Sequence, residues 1–345
     1  MQHLYLGLLL VSFLMTSIFV VPFINVLYKL KFQKKDRNHD GEFGSKTPIY
    51  EKFHAKKINT PIGGGILIVI AVCVLFALTI PLLSISHIYI SSNYKIAAQI
   101  SIIFYTFLSF GLIGLYDDIL KFFGFEKTGV FGLKSKQKFA IQVLAGLGAA
   151  LQLYYWLGID FVYIPFLGAI KMGLFYIPFS TFMLVAFANF FNITDGLDGL
   201  SCGLLMISLF AFWVLAGSST DTVVSVFLAV WIGAIIAYLY FNVAPARIML
   251  GDVGALAFGA TFALIALLLG KVVPFLVVSL PFTIEGMSSL IQILSKKFRN
   301  GKKVFPAAPI HLTLQQMGWE ESKIVARSWL ATIILAVFAI WLGLN

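Results

Sequence analysis

The sequence predicts an all-α integral membrane protein of about ten transmembrane helices, and three observations carry that prediction. Of the 345 residues, 60% are apolar and only 12% charged, with a mean hydropathy of +0.94. Apolar runs of about 18 to 25 residues recur along the chain, each long enough to cross a roughly 30 Å hydrocarbon core as a helix. Basic residues gather in alternate connections between those runs, as they do where one membrane face retains positive charge. No repeat, low-complexity tract or soluble module interrupts the pattern, so residues 1–345 are expected to form a single polytopic domain.

The expected spans are 4–28, 62–83, 96–116, 138–158, 172–190, 200–217, 222–241, 254–270, 272–294 and 325–344, while 159–171 is too short to cross. The first has no Lys or Arg ahead of it and no small-residue cleavage site behind it, but Lys29, Lys31, Lys34 and Lys35 follow. It is expected to stay as an anchor. Of the 25 Lys and Arg residues, 22 fall in 29–60, 117–138, 241–253 and 295–327, leaving Lys95, Lys171 and Lys271 for the opposite face. The positive-inside rule then puts the odd-numbered connections in the cytoplasm and both termini outside. The net charge of +10 flanks helices instead of forming a separate basic module, so it fits anionic lipid and substrate and excludes nucleic acid. Cys73 and Cys202 fall in or beside spans, which argues against a disulfide framework or a CxxC metal site.

Chemistry concentrates in the odd-numbered connections. The first ends HAKKINTPIGGGILIVI, where Thr60-Pro61 reads as an N-cap followed by proline in the first turn. Lys56 and Lys57 stand just upstream, beside amides at a helix start, which suits an anion such as phosphate. The alternative is lysines set by the charge rule and glycines set by close helix packing. The third span runs out as GLIGLYDDILKFFG, placing Asp117 and Asp118 at its end and Lys121 one turn on. Adjacent carboxylates repel, so the pair suits a cation or a shared proton. GLKSKQKFAIQ then supplies Lys134, Lys136 and Lys138, either a solvated face or a phosphate clamp.

In NFFNITDGLDGLS, Asn192, Asp195 and Asp198 recur every three residues and on a helical turn would share an oxygen-rich face; a capped, glycine-containing turn is the alternative. FNVAPARIMLGDVGALAFG brings Asn242, Arg247 and Asp252 together, with Asp252 near a helix N-terminus that would stabilise its ionised form and let it hold a metal. The stretch SKKFRNGKKVFPAAPIHLTLQQMGWEESK joins a basic cluster to a Pro-X-His turn at His311, with Trp319 as an interfacial anchor. All of these fall on one face, as a site for a Mg²⁺-bound, anionic phosphate compound requires.

The ordered series TPIGGG, GLYDDILK, GLKSKQK, NFFNITDGLDGL, NVAPARIMLGDVGALAFG and PIH…GWEESK resembles the polyprenyl-phosphate N-acetylhexosamine-1-phosphate transferases from about residue 45 to 330. Within them it is most similar to the branch that moves phospho-MurNAc-pentapeptide from its UDP derivative to undecaprenyl phosphate. The resemblance implies ten transmembrane helices, a cytoplasmic active site, Mg²⁺, release of UMP, a bacterial cytoplasmic membrane location and a homodimer. It implies that Asp117, Asp118, Asp252 and His311 are catalytic, with Asp117 the base toward the lipid phosphate. Lys121 would contact phosphate, together with Lys56, Lys57, Thr60 and Lys136 on the substrate side. Asn192, Asp195 and Asp198 would line the nucleotide-sugar and metal pocket, Asn242 would lie beside the nucleotide, and Asp252 with Asn192 would bind the metal. The branch's three consecutive histidines and following acid are here His311-Leu312-Thr313-Leu314-Gln315, so two histidines and the acid are absent.

Such a set acts mainly by positioning and charge stabilisation. Either lipid phosphate attacks directly or an aspartate such as Asp252 first forms a covalent phospho-sugar intermediate, and direct attack is favoured because a metal-bound carboxylate is a poor nucleophile. Two rival readings remain. A sister enzyme that transfers GlcNAc-1-phosphate or another amino-sugar phosphate is kept open by the histidine loop. A transporter would place its acids near mid-membrane on broken helices, where only Glu285 in PFTIEGMSSLIQ qualifies.

Overall fold

The computed structural model describes residues 2–33, 57, 59–123, 133 and 135–345. Lys56 and Lys134, singled out above, lie outside these residues. The helices are α1 Gln2–Lys29, α2 Gly64–Ile85, α3 Ile96–Phe123, α4 Ser135–Tyr155, α5 Tyr176–Thr194, α6 Leu200–Ser218 and α7 Thr222–Asn242. They continue as α8 Gly251–Leu268, α9 Val272–Val278, α10 Leu280–Phe298, α11 Ile310–Gln316 and α12 Glu321–Leu344. Among the described residues, eight helices are long and apolar enough to cross a membrane, and the pair α9 and α10, bent by 71° at Ser279, makes nine if it is one broken span. The protein is an all-α integral membrane protein. The one expected span not among these, 138–158, is α4, whose Lys138, Gln142 and Gln152 dilute its apolar character. The segment too short to cross forms an antiparallel hairpin, β1 Phe161–Ile164 and β2 Gly168–Lys171, with Phe161 opposite Lys171 and Ile164 opposite Gly168.

Helices α7 and α8 form the centre, apolar and buried along almost their whole length. Around them, α7 packs on α1, α2 and α6, and α8 on α2, α3 and α5. Phe107, Trp231 and Phe258 tie α3, α7 and α8 together, with Phe107 to Trp231 at 5.5 Å and Trp231 to Phe258 at 5.4 Å between ring centres. Lipid gives helices no hydrophobic drive to associate, so close fit must hold them. Small residues supply it: a Cβ on Gly259 would lie 2.2 Å from the Phe187 carbonyl oxygen, and one on Gly233 2.3 Å from that of Leu9.

One local expectation is corrected. Thr60-Pro61 does not cap α2, which begins at Gly64 after Gly63 in the left-handed region at φ 114°. Pro61 and Ile62 instead bridge to Gln33 and Met249. The amide groups of Gly63, Gly64 and Gly65 donate to the carbonyls of Met249, Met249 and Leu250 at 3.1, 2.9 and 2.8 Å. Those donors are occupied, so the anion cradle expected at this helix start is closed by the loop that leads into α8.

Candidate active site

The start of α8 is clamped between two glycine contacts. A Cβ on Gly114 of α3 would lie 2.2 Å from the Asp252 carbonyl oxygen, and one on Gly65 of α2 2.2 Å from the Gly254 amide nitrogen. Backbones therefore touch, and the side chains at the end of α3 are brought directly onto the first turn of α8. Asp252 sits in that turn, where the helix dipole favours a carboxylate. Asp118 accepts from the Val253 amide at 3.3 Å and so fixes the same turn.

A charge cluster results. Lys121 Nζ lies 2.9 Å from Asp117 Oδ2 and 2.8 Å from Asp252 Oδ2. Lys138, from the first turn of α4, reaches the same two oxygens, at 2.9 Å from Asp117 and in close contact with Asp252. Asn192 Nδ2 donates to Asp252 Oδ1 at 2.9 Å, and the Leu133 amide donates to Asp117 Oδ1 at 2.8 Å. Asp117 and Asp118 are each only 2% exposed; Asp117 is a charge partnered by two ammonium groups in a largely closed site, where removing one partner costs most. Among the described residues, no three His, Cys, Asp or Glu side chains gather closely enough to hold a metal alone.

A second cluster joins distant parts of the chain. Lys57 Nζ lies 2.7 Å from Asp198 Oδ1 and 2.6 Å from Glu321 Oε1. Burial acts to lower its pKa, but the two carboxylates outweigh that and hold the ammonium above its usual range. Asp198 Oδ2 also accepts from the Ala246 amide at 2.9 Å, and Glu321 Oε1 from the Asp198 amide at 2.6 Å. Asn242 accepts from the Gly199 amide at 3.2 Å and donates to the Ile248 carbonyl at 3.0 Å. It thus fastens the loop between α5 and α6 to the loop between α7 and α8.

Asn192, Asp195 and Asp198 do not form the single wall expected of them. Helix α5 ends at Thr194 and Asp195 leaves the helical region at ψ 42°, so the three side chains diverge. Asn192 turns to Asp252, Asp195 accepts from Ser201 Oγ at 2.5 Å, and Asp198 meets Lys57. Burial pushes the Asp195 carboxyl up to about 7, only partly offset by Ser201. His311 is buried, with Nδ1 2.9 Å from Glu285 Oε2. Its ring faces Gly196, where an added Cβ would lie 2.5 Å from Nε2. The intramembrane acid is thus the partner of the loop histidine.

Of the remaining expected residues, Lys136 is exposed and Thr60 half-buried, and neither reaches the charge cluster. Two participants carry more than the sequence reading gives them: Lys138, read there as part of a solvated face or a phosphate clamp, and Glu321, given no role. Lys138 was legible in principle: it and Gln142 stand four apart in α4, and so share a face. That face is buried at Gln142, which accepts from Asn189 Nδ2 at 2.7 Å. Glu321 gave no such local signal.

Comparison with known proteins agrees with the geometry. A family model described as glycosyl transferase family 4 matches residues 99–270, the segment that contains Asp117, Asn192 and Asp252. That match sets the class. The phospho-N-acetylmuramoyl-pentapeptide-transferase of Clostridium botulinum (strain Eklund 17B / Type B) is 34% identical over 333 residues, which is 96% of this chain and 94% of the relative. The one from Aquifex aeolicus (strain VF5) is 34% identical over 349 residues, 96% of this chain and 90% of its own. That of Staphylococcus saprophyticus is 32% identical over 342 residues, 98% and 99% of the two chains. The chain belongs to the phospho-N-acetylmuramoyl-pentapeptide-transferase family.

Proposed function

We propose that the protein transfers phospho-MurNAc-pentapeptide from its UDP derivative to undecaprenyl phosphate, releasing UMP and forming the first lipid-linked peptidoglycan precursor. The observation that carries this reading is the joining of Asp117, Asp252 and Asn192 to Lys121 and Lys138 in one cluster at the helix ends. The full-length likeness to relatives named for that transfer supports it. The proposal extends to a bacterial cytoplasmic membrane, with both termini outside, the cluster facing the cytoplasm and the protein acting as a homodimer.

Lys121 and Lys138 would take the phosphate oxygens of donor and acceptor, exchanging their present carboxylate partners for substrate. Asp117 would orient the acceptor phosphate and accept its remaining proton. An acceptor oxygen then attacks the sugar-bearing phosphorus, the bond to the bridging oxygen breaks, and UMP leaves with that electron pair. Asp118 would keep the first turn of α8, and so Asp252, in place through its bond to the Val253 amide.

The donor set fits Mg²⁺ in kind, because that ion takes hard oxygens and is commonly held by one or two carboxylates and completed by substrate phosphate and water. Asp252 Oδ2 is where two ammonium groups now meet, so once the lysines turn to substrate phosphate its oxygens are left for a cation. Asp252 and the amide oxygen of Asn192 would hold Mg²⁺, which when bound neutralises pyrophosphate charge and the charge gathering on departing UMP.

A second reading, transfer of GlcNAc-1-phosphate or another amino-sugar phosphate, draws on α11, where His311 is followed by Leu312 and Thr313, both buried. Purified protein with Mg²⁺ and undecaprenyl phosphate should release UMP from UDP-MurNAc-pentapeptide and not from UDP-GlcNAc. The reverse preference would overturn the first reading in favour of the second.

A further inference from the structure

Helix α10 is amphipathic in the sense opposite to a soluble helix. Glu285, Ser288, Ser289, Gln292 and Ser295 are buried, whereas Ile284, Met287, Leu290, Ile291, Leu294 and Phe298 are exposed. An outward apolar face of this kind is one that acyl chains cover. At the end of the helix Lys296, Lys297, Arg299, Lys302 and Lys303 are all exposed, and no acid occurs between 286 and 319. Among the described residues no carboxylate pairs with any of the five.

The inward polar face explains why these cations sit together. Gln292 Oε1 accepts from the Val304 and Phe305 amides at 2.9 and 3.1 Å, and its Nε2 donates to the Phe305 carbonyl at 2.8 Å. Ser295 Oγ donates to the Lys302 carbonyl at 2.9 Å, and the Gly301 amide to the Lys296 carbonyl at 2.9 Å. The chain after α10 is thereby folded back on the helix, and the two lysine pairs are presented by one ordered structure. Phe298, 72% exposed, stands among them with the Lys297 ammonium 5.4 Å from its ring centre.

We infer that the basic end of α10 docks on the anionic headgroups of the phospholipid leaflet, with Phe298 and Leu294 among the acyl chains. The inference does not depend on the chemistry proposed for the charge cluster. Charge complementarity and the adjoining apolar face select this occupant: a phosphate in water would meet the same cations but leave Phe298 and Leu294 uncovered. The same folded segment runs on to Pro309 and His311, so docking also holds the chain that delivers the histidine to Glu285.

The test uses full-length protein in mixed micelles, with phosphatidylglycerol or phosphatidylcholine retained on the protein counted by mass spectrometry of the intact assembly. The wild type should retain phosphatidylglycerol preferentially, and the preference should weaken as salt rises. Replacing all five residues (K296Q, K297Q, R299Q, K302Q, K303Q) should reduce phosphatidylglycerol affinity by at least about tenfold while leaving the thermal midpoint in phosphatidylcholine unchanged. Arginine at the four lysine positions should preserve binding. Equal retention of the two lipids by the wild type, undiminished retention by the neutral variant, or displacement of the lipid by inorganic phosphate alone would overturn the inference. If the neutral variant does not fold, the wild-type salt titration and the arginine variant decide the matter.

Discussion

The two charge clusters are built by different means. That of Asp117, Asp118, Asp252, Lys121 and Lys138 stands on the ends of α3, α4 and α8, with α3 and α8 in backbone contact at Gly114. That of Lys57, Asp198 and Glu321 stands on loops and helix edges joined across 264 residues, and ion pairs and amide bonds close it. The first sets three carboxylates against two ammonium groups, a balance that an arriving anion with a divalent cation can enter. The second has its single cation already enclosed by two carboxylates. Rigid support at the first and polar closure at the second imply different responses to substitution: the chemical step should depend on the first, and substrate retention on the second.

The largest expected effect is at Asp252. Asp252→Ala removes the shared partner of both lysines, and should lower UMP release by about a thousandfold or more with the fold retained, as judged by an unchanged elution profile and helical content. Turnover near wild type would remove the first cluster from the mechanism. Lys138→Met should lower kcat by about a hundredfold, whereas Lys136→Met, two residues away and exposed on another face of the helix, should stay within about twofold. Equal losses would mean that charge at the mouth of α4 matters and position does not. At the second cluster, Glu321→Gln should raise KM for the nucleotide sugar by about tenfold with kcat little changed. A double-mutant cycle with Lys57→Met should give a coupling of about 1 to 2 kcal/mol, more than an exposed ion pair supplies. A fall confined to kcat would merge the two clusters into one.

Local chemistry was readable and distant pairing was not. Asp117, Asp118, Lys121 and Asp252 could be found because a helix end fixes its neighbours within a turn, and the structure keeps them together. The wall assigned to Asn192, Asp195 and Asp198 failed because a spacing of three means one face only while the helix lasts, and α5 stops at Thr194. TPIGGG was legible as small residues, but whether those glycines meet an anion or a backbone depends on the segment around Met249 and Leu250, far along the chain. Glu285 and His311 each stood out alone, and their pairing required the 71° bend at Ser279, which no periodicity announces.

Asp195 offers the smallest effect and the finest discrimination between the two regions, because it lies between them and partners neither. Its carboxyl, enclosed against Ser201, keeps its proton up to about 7, whereas in the unfolded chain it would lose it near 3.8. Between those values the folded state binds the extra proton, so stability falls as pH rises across that window and the contribution is flat on either side. Thermal midpoints measured from pH 4 to pH 8 should therefore decline by about a few degrees through this group, and Asp195→Asn, which keeps a hydrogen-bonding partner for Ser201 but cannot ionise, should flatten that part of the curve. If the slope persists in the variant, the proton belongs elsewhere in the charge clusters, and the loop at 195 to 198 is electrostatically part of the second cluster after all. If it disappears while UMP release is unchanged at pH 8, Asp195 is a structural hinge of the loop, and the chemistry rests with the helix-end cluster alone.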